Sequence, residues 1–285
     1  MTPTVYQSAV RTPVPNTIVA ADPVTDRIRA TWTSGDFGRI AKGYELGAGE
    51  FIARLGLTRR EPVLDVACGT GNLTLPAARL GATVTALDIA PNLLAQAQVR
   101  AVRERLSVSF DLGDAEQLPY AAGTFQTVVT MFGAMFAARP DRAAAELLRV
   151  TRPGGRIVMA NWTPTGFTGD MLRTTVTYAP APVGLASPLL WGTEDAVRAW
   201  FGDGVSSLTF TRRMLTLEYP FDPAQVVSEF RLWYGPTLRA FASLDEVNRD
   251  ELRRDLEQLW TENNRAKDGT TRVQSEYLEV VAVVA

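Results

Sequence analysis

The chain has 285 residues, 46% of them hydrophobic and 21% charged, with a formal net charge of −2. That balance fits a globular chain with one large core, and it lacks the basic footprint of a nucleic-acid binder. A single cysteine, no histidine and no run of 18 apolar residues exclude an internal disulfide, a histidine-built zinc site, Ser-His-Asp chemistry and a helical membrane span. No metal and no nucleic-acid partner are therefore expected. The N-terminus shows no charged-then-apolar leader, so a cytoplasmic, reducing location is expected.

Residues 1–20 have little periodic pattern and read as a mobile tail. An N-terminal helical cap is expected over 21–57: a short helix at 24–33, turn residues, then a helix with Phe51, Ile52 and Leu55 on one face, closed by Gly56. A core follows over 58–162. Its first strand is EPVLDVA (61–67), then a glycine turn and a helix from Asn72 to Leu80. ATVTALD (82–88) is the second strand, and Pro91 opens a helix that runs to about Arg105. Strands are expected at 107–115, 125–133 and 156–162. A helix at 140–150 should stop at Arg152-Pro153-Gly154-Gly155. Residues 163–220 supply the rest of the core: pocket loops rich in Pro, Gly and Thr, a short helix at 193–201 and a strand at 206–219. A helical lid is expected over 221–271, with helices at Pro223–Trp233 and Leu244–Asn263, because fifty residues are too many for a turn. The last strand falls in 272–285, most plainly at YLEVVAVVA. Alternating strands and helices predict an α/β architecture with a mostly parallel sheet covered on both faces.

The chemistry concentrates in VLDVACGTG (63–71) and in LDIA, whose acid Asp88 lies seventeen residues after Gly71. A buried strand, a glycine turn, a helix and a second strand tipped by a carboxylate form a nucleoside site. The glycines admit backbone N–H groups to the ligand, and the second acid accepts from ribose hydroxyls. Thr74 stands where a dinucleotide fingerprint needs its third glycine. Asp65, inside the first strand, would repel a pyrophosphate and welcome a ligand with an amino group and a sulfonium.

DVACGTG, the LDIA acid, GDAEQLPY and RPGGRI, in this order over Glu61 to Trp162, resemble the class I S-adenosylmethionine-dependent methyltransferases. The likeness is greatest to the ubiquinone/menaquinone-biosynthesis group and its small-molecule relatives. It implies a Rossmann-like seven-stranded sheet, mostly parallel with strand seven antiparallel, and S-adenosylmethionine as cofactor. It also implies roles. Asp65, with Ala67 and the Gly69–Gly71 turn, faces the amino-acid end. Asp88 binds the ribose, and Ile89 covers an adenine face. Asp114, Ala115 and Glu116 hold the adenine edge. Met131 and Phe132 lie near the sulfonium, and Phe37 with Gly38 closes over the cofactor.

The acceptor side is less marked. Trp162, Phe167, Trp191 and Tyr234 are the expected pocket aromatics, which suits an apolar or aromatic small molecule. Asp36, Asp170, Glu194, Glu218, Tyr178 and Tyr234 are the candidates for a base, and none stands out. Without histidine, O-methylation of a carboxylate, or N- or C-methylation, is favoured over base-assisted phenol methylation. The rival readings are a same-fold enzyme that binds the cofactor without methyl transfer, such as a natural-product cyclase, a dehydrogenase with a degenerate fingerprint, and a non-catalytic binding protein. Oligomeric state is not legible.

Overall fold

The computed structural model describes residues 22–181 and 184–285, so the expected tail at 1–20 lies outside the described residues. Three helices open the chain: α1 (Pro23–Thr33), α2 (Phe37–Ala41) and α3 (Glu45–Arg54). Then come β1 (Pro62–Val66), α4 (Thr74–Arg79), β2 (Thr83–Asp88), α5 (Pro91–Arg103), β3 (Val108–Leu112) and β4 (Phe125–Met131). They are followed by α6 (Pro140–Val150), β5 (Thr151–Trp162), α7 (Phe167–Tyr178), α8 (Glu194–Phe201) and β6 (Val205–Tyr219). The chain ends with α9 (Pro223–Trp233), α10 (Gly235–Ser243), α11 (Glu246–Asn263) and β7 (Thr271–Val284).

The strands form one seven-stranded sheet in the order β3-β2-β1-β4-β5-β7-β6. Strands β1 to β5 pair in parallel, and β7 runs antiparallel to both β5 and β6. This is the expected Rossmann-like sheet with its seventh strand reversed. The central strands are buried on both faces, so β1 and β4 are nearly continuous apolar runs. Helix α5 starts at Pro91 and buries Leu93, Leu94, Ala97 and Ala101, one stripe at helical spacing. The strand order reverses between β1 and β4, where the chain's crossovers leave in opposite directions. A crevice therefore opens at the carboxyl ends of these two strands.

Four details differ from the sequence expectations. Strand β5 begins at Thr151, not 156, because Arg152 to Gly155 bulge out within a continuous strand. Phe125 pairs with Thr151, and the next paired residue, Thr127, already faces Arg156. Strand β7 begins at Thr271 and, past a register shift between Val205 and Ser207, matches β6 residue for residue from the pair Ser207 and Val283 down to Tyr219 and Thr271. The stretch expected as loops contains α7, whose Phe167, Thr168, Met171, Leu172 and Thr175 are buried along one face. The excursion at the tip of the β6–β7 hairpin holds three helices rather than two, α10 being the addition. That excursion packs back over the carboxyl end of the sheet, with α9 against α2 and α10 against α1.

Candidate active site

The loop after β1 turns sharply beneath the crevice. Ala67, Gly69 and Gly71 all adopt left-handed backbone, at φ of 56°, 54° and 88°. Gly133, after β4, has no room for a side chain: a Cβ there would lie 2.6 Å from the Ala67 Cβ. The ends of β1 and β4 therefore approach closely and form a smooth floor.

Two carboxylates rise from that floor. Asp65 is 1% exposed and accepts a hydrogen bond from the Thr74 hydroxyl at 2.5 Å. Burial, with the nearby Asp88 charge adding to it, pushes its carboxyl up to about 7. Asp88 is 5% exposed and accepts from the Gly69 N–H at 2.7 Å and the Ala90 N–H at 2.8 Å. Burial lifts it to about 6, against the lowering effect of those N–H groups. Among the described residues neither acid has a cationic side-chain partner. Such a pair is costly unless a ligand brings positive charge or donors.

A cleft opens above them. Asp65, Ala67, Gly69, Asp88 and Ile89 line it from the β1 and β2 ends, and Asp114 and Ala115 from the loop after β3. Met131 and Phe132 close it from β4, and Phe37 from α2. Asp114 accepts from the Thr25 hydroxyl at 3.1 Å and from the Glu116 N–H at 2.9 Å, which ties α1 to this rim.

Two residues expected at this site lie elsewhere. Glu116 points away and is clamped by Arg139 at 2.7 Å, an arginine that also pairs with Asp22 at the start of α1. Gly71 does not line the cleft; it is the packing point where the turn meets Ala97 and Leu75.

Behind the cleft lies a small inner chamber. Trp32, Phe37, Tyr44, Phe132 and Phe136 line both spaces, so the two are contiguous. Phe132 and Trp162, which both line it, stack face to face on one another at 3.5 Å and 6°. Tyr219, Phe230, Tyr234 and Trp260 from β6 and the lid complete it. Of the four expected pocket aromatics, Trp162 and Tyr234 line the chamber. Phe167 is buried edge-to-face on Trp260, and Trp191 packs on Trp200 in the core beside α8. Their size and burial made them look like pocket residues, but their rings hold helices together.

The sequence reading missed Trp32 and Tyr44. Ile28 and Trp32 form an apolar pair at i, i+4 on an otherwise polar α1, a signal that could have found the first. No comparable signal marks Tyr44. Among the described residues, no carboxylate, lysine or arginine lines the chamber. The candidate bases are engaged elsewhere. Asp36 caps α2 and accepts from Gln96, and Tyr178 donates to Asp255. Asp170 pairs with Arg173, Glu194 with Arg198 and Glu218 with Arg272, all at the surface. Only Tyr234 reaches the chamber.

A family model described as a methyltransferase domain, Methyltransf_11, matches residues 64–159. The Rv1403c protein of Mycobacterium tuberculosis is 41% identical over 218 residues, covering 76% of this chain and 80% of that one. The demethylmenaquinone methyltransferase of Renibacterium salmoninarum is 34% identical over 167 residues, covering 53% of this chain and 69% of that one. Among solved structures, the YcgJ protein of Bacillus subtilis superposes with a TM-score of 0.58 at 14% identity, covering 84% of this chain and 98% of that one.

Proposed function

This chain belongs to the class I S-adenosylmethionine-dependent methyltransferases, and on that premise we propose that it transfers a methyl group to an apolar or aromatic small molecule seated in the inner chamber. The observation that carries this reading is the pair of buried carboxylates without a cationic partner at the topological switch point. They suit a ligand with an ammonium group and a ribose, and a dinucleotide pyrophosphate would meet them with like charge. The residues present thus fit S-adenosylmethionine. Asp65 would face its amino group, Asp88 its ribose, Ile89 an adenine face, and Asp114 with the Ala115 N–H the adenine edge. Met131 and Phe132 stand where the cleft opens into the chamber.

When bound, S-adenosylmethionine would supply an electrophilic methyl on a sulfonium: as the acceptor's electron pair took the methyl, the S–CH3 bond would break and S-adenosylhomocysteine would leave with its sulfur neutral. The protein's own contribution is position and dryness. The aromatic wall shared by cleft and chamber keeps water from the junction and holds an acceptor in line, which can supply much of the rate enhancement. The residues offer no strong proton acceptor there. Carboxylate O-methylation, or N- or C-methylation of an already nucleophilic atom, is therefore favoured over methylation of a phenol that must first be deprotonated.

The test is incubation with methyl-labelled cofactor and candidate acceptors, including fatty acids, quinones and indoles. Label should appear in a product, and Asp88→Ala should abolish transfer with the fold intact by circular dichroism. Uptake of the cofactor with no labelled product from any acceptor would favour a cyclase-like role. Stabilisation by NADH but not by S-adenosylhomocysteine would favour a dehydrogenase.

A further inference from the structure

The inner chamber has walls of Trp, Phe, Ile, Leu and Met, yet four hydroxyls reach it: those of Tyr44, Thr168, Tyr219 and Tyr234. Two are already committed. Tyr219 donates to the Ile40 carbonyl at 3.0 Å, and the Thr168 and Ser275 hydroxyls lie 2.8 Å apart. Among the described residues, the Tyr44 and Tyr234 hydroxyls have no hydrogen-bond partner, and neither is sealed off from the cavity. Tyr234 is nonetheless only 6% exposed. Each hydroxyl is therefore open to a ligand atom, and a phenylalanine would fill the same space without offering a donor.

Both rings are held in place. Tyr234 packs against Phe230, Trp32 and Phe37 at centroid distances of 5.4, 5.8 and 5.9 Å. Tyr44 meets Phe132 edge-on at 5.8 Å, and it lines the cofactor cleft as well as the chamber. Burial raises both phenols well above the ordinary tyrosine range, and their mutual proximity adds to this for Tyr44. They are neutral and can donate or share a hydrogen bond, but they do not abstract protons.

Resting on the methyltransferase reading, we infer that the Tyr44 and Tyr234 hydroxyls are positioning residues that clamp an oxygen atom of the acceptor at the junction of chamber and cleft. The acceptor is then a planar ring system carrying a carbonyl, hydroxyl or carboxylate oxygen. The aromatic lining suits a planar ring, and the absence of charged side chains from the described lining selects against acceptors with a free ammonium group.

The test compares two probes, indan-1-one and indane, which have the same ring frame with and without an oxygen. Binding is followed by ligand-detected NMR titration of the full chain, with and without S-adenosylhomocysteine. In the native protein indan-1-one binds. In Tyr44→Phe and Tyr234→Phe the ratio of indan-1-one to indane affinity falls by about tenfold or more, because a site that hydrogen-bonds an oxygen discriminates through it. Tyr178→Phe, whose hydroxyl donates to Asp255 away from the chamber, leaves the ratio unchanged. An unchanged ratio in both of the first two variants overturns the inference, as does an equal weakening of both probes or a native chain that ignores indan-1-one. The two readings separate cleanly. Uptake of S-adenosylhomocysteine without probe discrimination removes the tyrosine clamp and leaves the cofactor assignment standing. Discrimination without that uptake does the reverse.

Discussion

Asp65, one residue before the end of β1, and Asp88, the last residue of β2, lie at the carboxyl ends of adjacent parallel strands. The fold holds them where water cannot solvate them, and the sign of the consequence follows from their raised pKa values. Each keeps a proton in the folded state that the unfolded chain releases from the ordinary carboxyl value of 3.8. The stability this adds is complete below that value and is lost as pH rises through about 6 for Asp88 and about 7 for Asp65. The ionised pair, present at higher pH, is the form that attracts an ammonium group. Calorimetry should therefore show S-adenosylhomocysteine binding tightly at pH 8 and roughly tenfold or more weakly at pH 5.5. Asp65→Asn should weaken that binding and yet stabilise the free protein by roughly 1–3 kcal/mol at pH 8, a gain that fades as the pH is lowered below 6. A variant that melts below the native protein at pH 8 would contradict this account. Both acids were legible in the sequence because a lone carboxylate inside or at the tip of an apolar strand is conspicuous. Glu116 was equally conspicuous in its loop. Nothing local revealed that Arg139, 23 residues further on, would claim it.

Helix α1 shows how an element with little packing of its own can shape a site. None of its residues is buried, yet Trp32 lines both cleft and chamber. Polar contacts hold it in place: Thr25 to Asp114 on one side, and Asp22 to Arg139 to Glu116 on the other. Each exposed contact contributes only about 0.2–1 kcal/mol, so α1 is the most easily opened wall of the site. Arg139→Gln should speed hydrogen exchange in α1 severalfold, leave the central strands protected, and weaken cofactor binding. Unchanged exchange in α1 would show that its aromatic contacts alone hold it. The pattern of helix misses has a common cause. Helix α7 is rich in Thr, and Thr175 and Thr177 bond back to carbonyls four residues earlier, so its intrinsic preference for helix is weak. It is helical because Phe167, Met171 and Leu172 are buried. Helix α10 begins at Gly235-Pro236, which reads as a turn. A Cβ on Gly235 would lie 2.1 Å from the Thr31 carbonyl, so this glycine is what lets α10 dock against α1.

At the scale of the whole molecule, the sheet is a rigid base and the two cavities share their walls. Trp32, Phe37, Tyr44, Phe132 and Phe136 face the cofactor cleft on one side and the acceptor chamber on the other. A ligand that orders these five rings from one side prepares them for a ligand on the other. Indan-1-one should accordingly bind several-fold more tightly when S-adenosylhomocysteine is present, and the converse enhancement must be the same factor. Paired calorimetric titrations in both orders measure it. Fully independent binding would mean that the rings are already fixed in the free protein. Among the described residues no helix is long and apolar enough to cross a membrane.

The sequence alone determined the parallel core, the glycine turn, the two acids and the methyltransferase family. Each is written in contiguous residues whose period, burial and charge obey local rules. The acceptor chamber was decided only by the tertiary structure. Its walls come from α1, α2, β5, α7, β6, the loop after β4 and two lid helices, segments far apart in the chain, and no local pattern says which aromatic faces a cavity and which fills a core. Trp162 and Trp191 are both buried aromatics, but only the first stands at the carboxyl end of a central strand, where the fold leaves an opening.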